Sequence, residues 1–383
     1  MSEFRPRIAI CTSVHVAEDA RVTFREGRAL ARAFDATLYV FADGDDGSID
    51  AGGGQELAVR RLSRRSGRFA RFLSGRRLLR TALADGPDIV LIHDPELLPW
   101  ALTELIGKVP VVYDAHEDYA VMVLTKSWVP TALRRILSRL VDVVERAVAR
   151  RIDLLVVADQ HLTHRLGPVA PRTVVLRNYP PTDLFDVGEP VAARDPIIVY
   201  IGGVTAARGL GTMLEAFRIV RERLPRARLE IVGPAQDTAG RLLVDAGEGV
   251  SILGAMPYDA IGPVLARARV GLALLADTPK YRNDVPSKLY DYMCAGVPYV
   301  ASDLPGIRST VGEIGGVLVD PADAAAVADA VICMLTDDRA AEALRAGGMA
   351  AARDRFSFDA ECDAMIGALR EVLGDKEAED VAR

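Results

Sequence analysis

The residues with the clearest chemical meaning lie in the run VPSKLYDYMCAGVPYVAS, residues 285–302. Pro286 suits the first turn of a helix, where its missing N–H costs nothing. Ser287, Lys288 and Leu289 would then present free backbone N–H groups and one cationic side chain at a helix N-terminus. Such a helix end attracts anions. We therefore interpret this run as a candidate diphosphate site.

Asp291 lies one turn further along the same predicted helix, where its carboxylate could accept hydrogen bonds from a ribose diol. The alternative interpretation is an ordinary helix between two strands, in which Lys288 and Asp291 are solvated charges. Taken alone, the run does not decide between the two.

A second run is rich in glycine. Tyr200-Ile201-Gly202-Gly203 ends a predicted strand, and Arg208-Gly209 precedes a predicted helix. Glycine lets a ligand approach the backbone closely, and the Arg208 guanidinium offers a forked cation to a pyrophosphate oxygen. Glycine after a strand is also common in ordinary turns. This run therefore supports a diphosphate site only in combination with residues 285–302.

The pattern of apolar residues predicts the secondary structure around the candidate sites. Over residues 1–180 it predicts a doubly wound α/β domain. Its strand candidates are rich in Val, Ile and Leu on both faces, as is typical of parallel strands covered by helices. They are Arg7–Val14, Ala36–Phe41, Asp88–His93, Val109–Asp114, Asp153–Ala158 and Thr173–Arg177, with helices predicted over Arg21–Ala33 and Pro130–Arg150.

The alternation stops and then restarts in the second half. Residues 181–196 are rich in proline and acidic residues and predict an interdomain linker. Residues 197–357 again alternate strands with helices and predict a second domain of the same class. Ligands bind at the carboxyl ends of the strands in such sheets, so we expect a cleft there.

In the two runs described above, and over nearly its whole length, the chain resembles the GT-B-fold glycosyltransferases of family 4. Family members end the first strand of their second domain with a Gly-Arg loop followed by Lys-Gly, where this chain has Gly202-Gly203 and Arg208-Gly209. Their donor signature is a Glu, seven residues and a second Glu before Met-Ala-x-Gly-x-Pro. Here Asn283 and Asp291 hold those positions, and MCAGVP follows.

The first half resembles the branch that makes bacterial surface polysaccharides and related glycoconjugates. The matching runs are Asp19-Ala20-Arg21, His93-Asp94-Pro95-Glu96 and Tyr113-Asp114-Ala115-His116-Glu117. The resemblance implies that His116 acts at the reacting centre; the alternative is a polar residue that closes a turn after a strand. The candidates for the acceptor side are His15, Asp19, Arg21 and Glu117.

The resemblance implies a retaining transfer from a nucleotide-sugar donor, with no metal or other cofactor. Arg208, Lys288 and the amides of Ser287 and Leu289 would hold the diphosphate, Asp291 the ribose and Asn283 the sugar hydroxyls. The leaving phosphate would itself take the acceptor proton. It also implies two Rossmann-like domains facing across a cleft, with Phe358–Leu373 crossing back so that residues 358–383 pack on the first domain.

Three departures from the family pattern bear on activity. Arg208 replaces a Lys but keeps the charge, Gly203 replaces an Arg, and Asn283 and Asp291 replace both glutamates. One alternative is therefore a GT-B nucleotide-binding partner subunit with impaired catalysis. A sugar-nucleotide epimerase shares the architecture but fits the MCAGVP run less well. Release of nucleoside diphosphate, with and without acceptor, separates the three.

Composition and charge limit the partners. No apolar run reaches the ~20 residues that cross a bilayer, and the N-terminal run predicts a first strand rather than a secretion signal, so we expect a cytoplasmic protein. The net charge of −6 argues against nucleic acid. Four scattered cysteines predict neither a metal nor a disulfide site. The expected partners are the donor and a glycan, lipid-linked or small-molecule acceptor.

Residues 57–84 hold nine arginines and no acidic residue. Interleaved with apolar residues, Arg60–Arg80 could lie on the inner face of an anionic membrane, each cation adding about 1 kcal/mol, or receive a phosphorylated acceptor. The alternative is a solvated helix face. His161 and His164 share a helical spacing but are interpreted as surface residues, and residues 43–47 as an acidic surface loop.

Overall fold

The chain forms two compact units in this computed structural model, which describes residues 5–63, 67–125, 129–236, 239–244 and 246–381. The first unit lies within residues 1–178 and 358–383, and the second within residues 179–357. The sequence analysis ended the first domain at residue 180 and the second at residue 357. None of the described helices is long and apolar enough to span a bilayer.

An eight-stranded sheet forms the centre of the first unit, in the order β3-β4-β2-β1-β5-β6-β7-β8. All neighbouring strands pair in parallel except β3, which is antiparallel to β4. The strand order reverses between β1 and β5, as in doubly wound folds. The strands are Arg7–Cys11 (β1), Asp35–Phe41 (β2), Gly47–Asp50 (β3), Glu56–Leu62 (β4), Ile89–Ile92 (β5), Val111–Ala115 (β6), Leu154–Val157 (β7) and Thr173–Val175 (β8).

Helices cover this sheet because its central strands are apolar on both faces. Every residue of β5, β6 and β7 is buried. A π-helical segment, Val22–Gly27, continues directly into the first α-helix. The helices are Arg28–Ala33 (α1), Arg68–Ala84 (α2), Leu98–Glu104 (α3), Tyr119–Thr125 (α4), Thr131–Ala149 (α5) and Gln160–Leu166 (α6).

The second unit repeats the architecture with a six-stranded, all-parallel sheet in the order β11-β10-β9-β12-β13-β14. Its order reverses between β9 and β12. The strands are Ile197–Ile201 (β9), Arg228–Val232 (β10), Val250–Gly254 (β11), Val270–Ala273 (β12), Tyr299–Ser302 (β13) and Gly316–Val319 (β14). The helices are Leu210–Arg223 (α7), Ala239–Val244 (α8), Gly262–Arg267 (α9), Lys288–Cys294 (α10), Pro305–Thr310 (α11), Ala324–Thr336 (α12) and Asp338–Asp354 (α13).

The last helix, Phe358–Val381 (α14), belongs to the first unit, as the sequence suggested for the closing helix. It packs against α1, β7 and β8. The Glu361 carboxylate accepts hydrogen bonds from the backbone and side chain of Arg177.

Residues 181–196, which were predicted to be an interdomain linker, lie within the second unit. Phe185 and Val191 are buried, and Arg194 donates to the carbonyl of Ala268 at 2.8 Å. Residues 191–193 form a 3₁₀ turn. The segment packs as part of the second unit because burial of its few apolar side chains, which lie between the prolines, is favourable.

The segment 57–84 is not one basic helix. Its first part is β4, in which Leu57 and Val59 are buried on either side of the exposed Ala58, and Leu62 is buried at the end of the strand. A strand period of two explains this pattern, which the density of arginines obscured. Residues 67–84 then hold a turn and α2, while Arg64 and Arg65 lie outside the described residues.

Candidate functional sites at the strand ends

The second unit brings two cations together where its strand order reverses. Gly202 follows β9 with a φ of +111°, a conformation that L side chains rarely adopt. A Cβ atom there would lie 3.5 Å from Lys288 Nζ and 3.9 Å from Arg208 Nη1. The bare backbone therefore lies directly beside both cations.

Neither cation forms an ion pair with any residue in the described part of the chain. Lys288 is only 8% exposed, and its Nζ lies 3.5 Å from the centre of the Tyr200 ring, a cation–π contact. Burial and the Arg208 charge hold the pKa of Lys288 well below its usual range, against the opposite effect of Asp291. Two close cations in a buried setting are suited to an anionic ligand.

The structure gives a physical reason for glycine at position 203, where the family has arginine. A Cβ atom on Gly203 would lie 3.2 Å from both Arg208 Nη1 and Gln236 Nε2. Arg208 also donates from Nη1 to the Gly203 carbonyl at 3.3 Å. The Arg208 guanidinium thus occupies space that a larger side chain at 203 would need.

The turn before α10 differs in one respect from the sequence prediction. The helix begins at Lys288, and the Leu289 amide donates to the Pro286 carbonyl at 3.0 Å rather than remaining open to a ligand. The amides of Ser287 and Lys288 have no acceptor among the described residues. Two of the three predicted amides, those of Ser287 and Lys288, are therefore left without an internal acceptor, whereas that of Leu289 is not.

Asp291 and Asn283 lie in different environments. Asp291 is buried, and its Oδ1 accepts a hydrogen bond of 2.6 Å from the Tyr258 hydroxyl. Asn283 is exposed in a turn whose backbone packs closely on Gly306. Its side chain makes no hydrogen bond with another described residue.

In the first unit, Asp94 holds the loop that follows β1. Its Oδ2 accepts hydrogen bonds from the Thr12 hydroxyl at 2.8 Å and from the backbone amides of Ser13 at 2.6 Å and Val14 at 3.2 Å. Its Oδ1 lies 3.5 Å from His15 Nδ1. The same His15 nitrogen lies 3.0 Å from the Thr12 hydroxyl. Since β1 and β5 flank the reversal of strand order, this loop places His15 at the usual ligand-binding edge of the sheet.

Asp114, in β6, is the centre of a buried polar cluster. Arg21 donates from Nε and Nη2 to its two oxygens at 2.8 and 2.7 Å. His93 Nδ1 and His116 Nδ1 lie 3.1 and 3.5 Å from Oδ2. Burial alone would raise the pKa of Asp114, but the Arg21 charge and the two imidazoles hold it well below its usual range.

The imidazole rings of His15, His93 and His116 lie close to one another. The ring centres of His15 and His116 are 5.1 Å apart, and those of His93 and His116 are 5.9 Å apart. His116 Nε2 lies 3.3 Å from the Tyr119 hydroxyl. Burial lowers the pKa of His116, but the contact with Asp114 outweighs it and raises the pKa above its ordinary value. His116 can therefore act as a proton-bearing hydrogen-bond donor.

The ligand atoms of His93, Asp114 and His116 lie within 4.8 Å of one another, a spacing that a cation could use. However, Arg21 already binds both oxygens of Asp114 and would oppose a second positive charge. We therefore assign the group to hydrogen bonding.

Glu26 is a member of this cluster that the sequence analysis did not single out. It lies in the π-helical segment, is fully buried, and neither carboxylate oxygen has a hydrogen-bond partner in the described structure. One oxygen lies 3.4 Å from His93 Nε2. Burial first, and then the Asp114 charge, raise the pKa of Glu26 well above its ordinary value. Burial lowers the pKa of His93, so the surroundings disfavour the charged forms of both groups.

We expect Glu26→Gln to stabilise the protein at neutral pH. A raised pKa means that the folded protein keeps a proton over a pH range in which the unfolded carboxylate has lost it, so the stability present at low pH is lost as pH rises. Each unit of displacement corresponds to about 1.4 kcal/mol, and we expect the unfolding midpoint to rise by roughly 2–4 °C or more at pH 8. The measurement is thermal unfolding from pH 4.5 to 8.

The matched control is Glu18→Gln, which removes an exposed carboxylate from the same region and should leave the midpoint nearly unchanged. A loss of stability in Glu26→Gln that is equal at both ends of the pH range would show that the folded state needs the ionised carboxylate.

The remaining residues singled out in the sequence have other surroundings. Asp19 Oδ1 accepts hydrogen bonds from the amides of Arg21 and Val22 at 2.8 and 3.0 Å and so caps the helical segment. Glu117 is exposed, and its side chain forms no ion pair with the described residues. His161 and His164 both lie on α6 and are exposed, and His161 contacts Asp118 at 2.9 Å.

Comparison with known proteins covers both units. The family described as "Glycosyltransferase Family 4" matches residues 20–179, and that described as "Glycosyl transferases group 1" matches residues 195–337. A D-inositol 3-phosphate glycosyltransferase of Segniliparus rotundus is 27% identical over 299 residues, which are 72% of this chain and 63% of that protein. This chain thus spans less than two thirds of that relative's length.

Two further proteins are similar over more of their length. A phosphatidyl-myo-inositol mannosyltransferase of Mycobacterium tuberculosis is 27% identical over 311 residues, 75% of this chain and 74% of that protein. A sucrose-phosphate synthase structure from Thermosynechococcus elongatus superposes with a TM-score of 0.72 and 19% identity, covering 97% of this chain and 100% of the other. The fold is that of the GT-B glycosyltransferases.

Proposed function

We infer that this chain, which belongs to glycosyltransferase family 4, transfers a sugar from a nucleotide-sugar donor to an acceptor hydroxyl with retention of configuration. We propose that the product belongs to a polysaccharide or glycoconjugate. The observation that carries the donor assignment is the close pair of cations, Arg208 and Lys288, which have no carboxylate partner in the described residues.

The donor diphosphate is proposed to bind between these cations and the amides of Ser287 and Lys288. Positive charge there would stabilise the negative charge that develops on the leaving diphosphate. Asp291 is proposed to accept hydrogen bonds from the ribose beside Tyr258, and Asn283 to contact the sugar hydroxyls. These two roles rest on the family pattern.

The first unit is proposed to supply the reacting histidine. Asp114, which Arg21 binds, lies beside His116 Nδ1 and is proposed to orient the ring, which would donate a hydrogen bond from Nε2 to the sugar or the acceptor. The family resemblance points to no separate enzymic base, so we propose that the leaving phosphate takes the acceptor proton. His15 and Asp94 would line the acceptor side.

The acceptor is proposed to be a hydroxyl of a glycan, a lipid-linked sugar or a small molecule. The two named relatives act on inositol 3-phosphate and on phosphatidyl-myo-inositol. A phosphorylated or lipid-linked polyol therefore belongs among the first acceptors to be tested.

The test is release of nucleoside diphosphate from a panel of UDP-, GDP- and ADP-sugars, with and without these acceptors, followed by NMR of the first-formed product. We expect acceptor-dependent release from one donor and the same anomer in product and donor. An inverted anomer would contradict the mechanism. Binding of a nucleotide without turnover on any acceptor would favour the impaired partner subunit.

We also propose that the two cations make a metal unnecessary. The same assay in EDTA should therefore give an unchanged rate, and a loss of rate that Mg²⁺ restores would contradict the proposal.

Contact of Arg60–Arg80 with an anionic membrane stays a prediction. Several of its cations already have partners within the chain: Arg60 Nη1 lies 2.7 Å from Asp46, Arg71 Nε 2.6 Å from Glu96, and Arg76 Nε 2.6 Å from Glu104. These pairs leave less charge for lipid, so we expect this surface to contribute little.

A further inference from the structure

Helix α5 exposes a row of large aliphatic side chains. Leu133, Ile136, Leu140 and Val143 are 47%, 62%, 55% and 61% exposed, respectively. Their spacing of three and four residues places them on one face of the helix. Exposing large apolar side chains to water is unfavourable. A contiguous row of them on a surface therefore indicates a binding site for a partner or a membrane.

The row does not result from a helix that is apolar all round. Val148 and Ala149 at the C-terminal end of α5 are buried against the unit, while Val144 is half-buried. The exposed row extends the apolar face that these residues form into the part of the helix surface that is open to solvent. The helix therefore has a wider apolar face than its packing in the unit uses.

The polar flank of this row carries cations without partners. Arg135 and Arg139 are exposed and form no ion pair with any residue in the described ranges. On α2, by contrast, Arg71 and Arg76 are bound to Glu96 and Glu104. The arginines beside the apolar row thus keep their full charge for a ligand outside the chain.

A neighbouring helix extends the same kind of surface. Helix α4 packs against α5 and exposes Val121 and Leu124, at 51% and 39%. Aliphatic side chains with unpaired arginines at their edge match the interface of an anionic bilayer, where apolar groups enter the acyl boundary and cations meet phosphates.

We propose that the exposed face of α5, with α4 beside it, docks the chain onto an anionic lipid bilayer. A second copy of the chain is a poorer occupant, because a symmetric pairing of this face would also bring two sets of unpaired Arg135 and Arg139 side chains to one interface. Anionic lipid supplies both the apolar phase and the opposite charge. This surface goes beyond the proposed transfer reaction, and its test does not depend on activity.

The test is co-sedimentation of the full chain with phosphatidylcholine vesicles, with and without phosphatidylglycerol. We expect binding to the anionic vesicles that falls as salt rises, because exposed charge is screened. Ile136→Ser with Leu140→Ser should weaken binding about tenfold or more through lost apolar burial, and Arg135→Gln with Arg139→Gln by about the same factor through lost charge.

The matched control is Arg77→Gln with Arg80→Gln, which removes the same charge from exposed positions on α2 and should bind nearly as well as the unaltered chain. An equal loss in this control would move the contact to α2 and overturn the proposal. So would the absence of binding to anionic vesicles, or equal binding to neutral ones. A dimer in solution that Ile136→Ser dissociates would assign the face to a second copy instead. The substituted positions are exposed, so thermal unfolding should show all variants folded.

Discussion

Alanine at His116 is expected to lower kcat by about 100-fold or more while leaving the affinity for nucleoside diphosphate nearly unchanged. His116 lies in the first unit, whereas the cations assigned to the diphosphate lie in the second. Asp114, which Arg21 binds, lies 3.5 Å from His116 Nδ1 and raises the pKa of the imidazole, which favours the protonated form. The measurements are steady-state kinetics and calorimetric titration of nucleoside diphosphate.

The matched control is His164→Ala, which removes an exposed imidazole from α6 and should leave both quantities unchanged. The unaltered enzyme should also lose activity as pH rises through the raised pKa of His116, and His116→Gln should lack that step. Near-normal turnover in His116→Ala, with the protein folded, would leave His116 as a residue that only closes the turn after β6.

The central strands of the first sheet were predictable because strands buried on both faces are apolar along their whole length. Runs such as Ile89–Ile92 and Leu154–Val157 contain only aliphatic residues, and the structure confirms each strand predicted in the first half to within a few residues. β3 and β4 were not predicted. They lie at the sheet edge, where one face is polar and the arginines of residues 57–84 suggested a surface helix instead.

The candidate sites were only partly predictable, because sequence shows which residues follow strands but not which side chains converge. The runs containing His93, Asp94, Asp114 and His116 were all recognised. Nothing in them showed that Asp114 joins Arg21 to two imidazoles. Glu26 had a weaker signal, a carboxylate within the segment VTFREG, and its burial becomes evident only when the π-helical turn places it against His93.

Substitution of Lys288 by methionine is expected to weaken nucleoside diphosphate binding by about 1.5–3 kcal/mol, roughly 10- to 150-fold, because it removes a charge-assisted contact. Methionine keeps most of the buried stem, so the loss would report the charge. We expect Arg208→Ala to weaken binding to a similar extent. Calorimetric titration of both variants is the measurement.

The lowered pKa of Lys288 gives this prediction a second part. With no ligand, burial and Arg208 disfavour the charged amine, so a bound diphosphate should raise its pKa and draw a proton from solution. Affinity should therefore increase as pH falls through the free-state pKa, over the range in which the diphosphate stays ionised. Calorimetry in buffers of different ionisation enthalpy should show this proton uptake, and Lys288→Met should abolish it.

The same substitution should stabilise the unliganded protein. A lysine whose pKa is lowered by folding costs stability at every pH below its unfolded value, and that cost disappears with the amine. Lys288→Met should thus unfold at a higher temperature without ligand and lose the rise that nucleotide gives the unaltered chain. Lys280→Met, which alters an exposed lysine nearby, is the control and should change neither. Unchanged diphosphate affinity in Lys288→Met, with no difference in proton uptake, would exclude this pair of cations as the donor site.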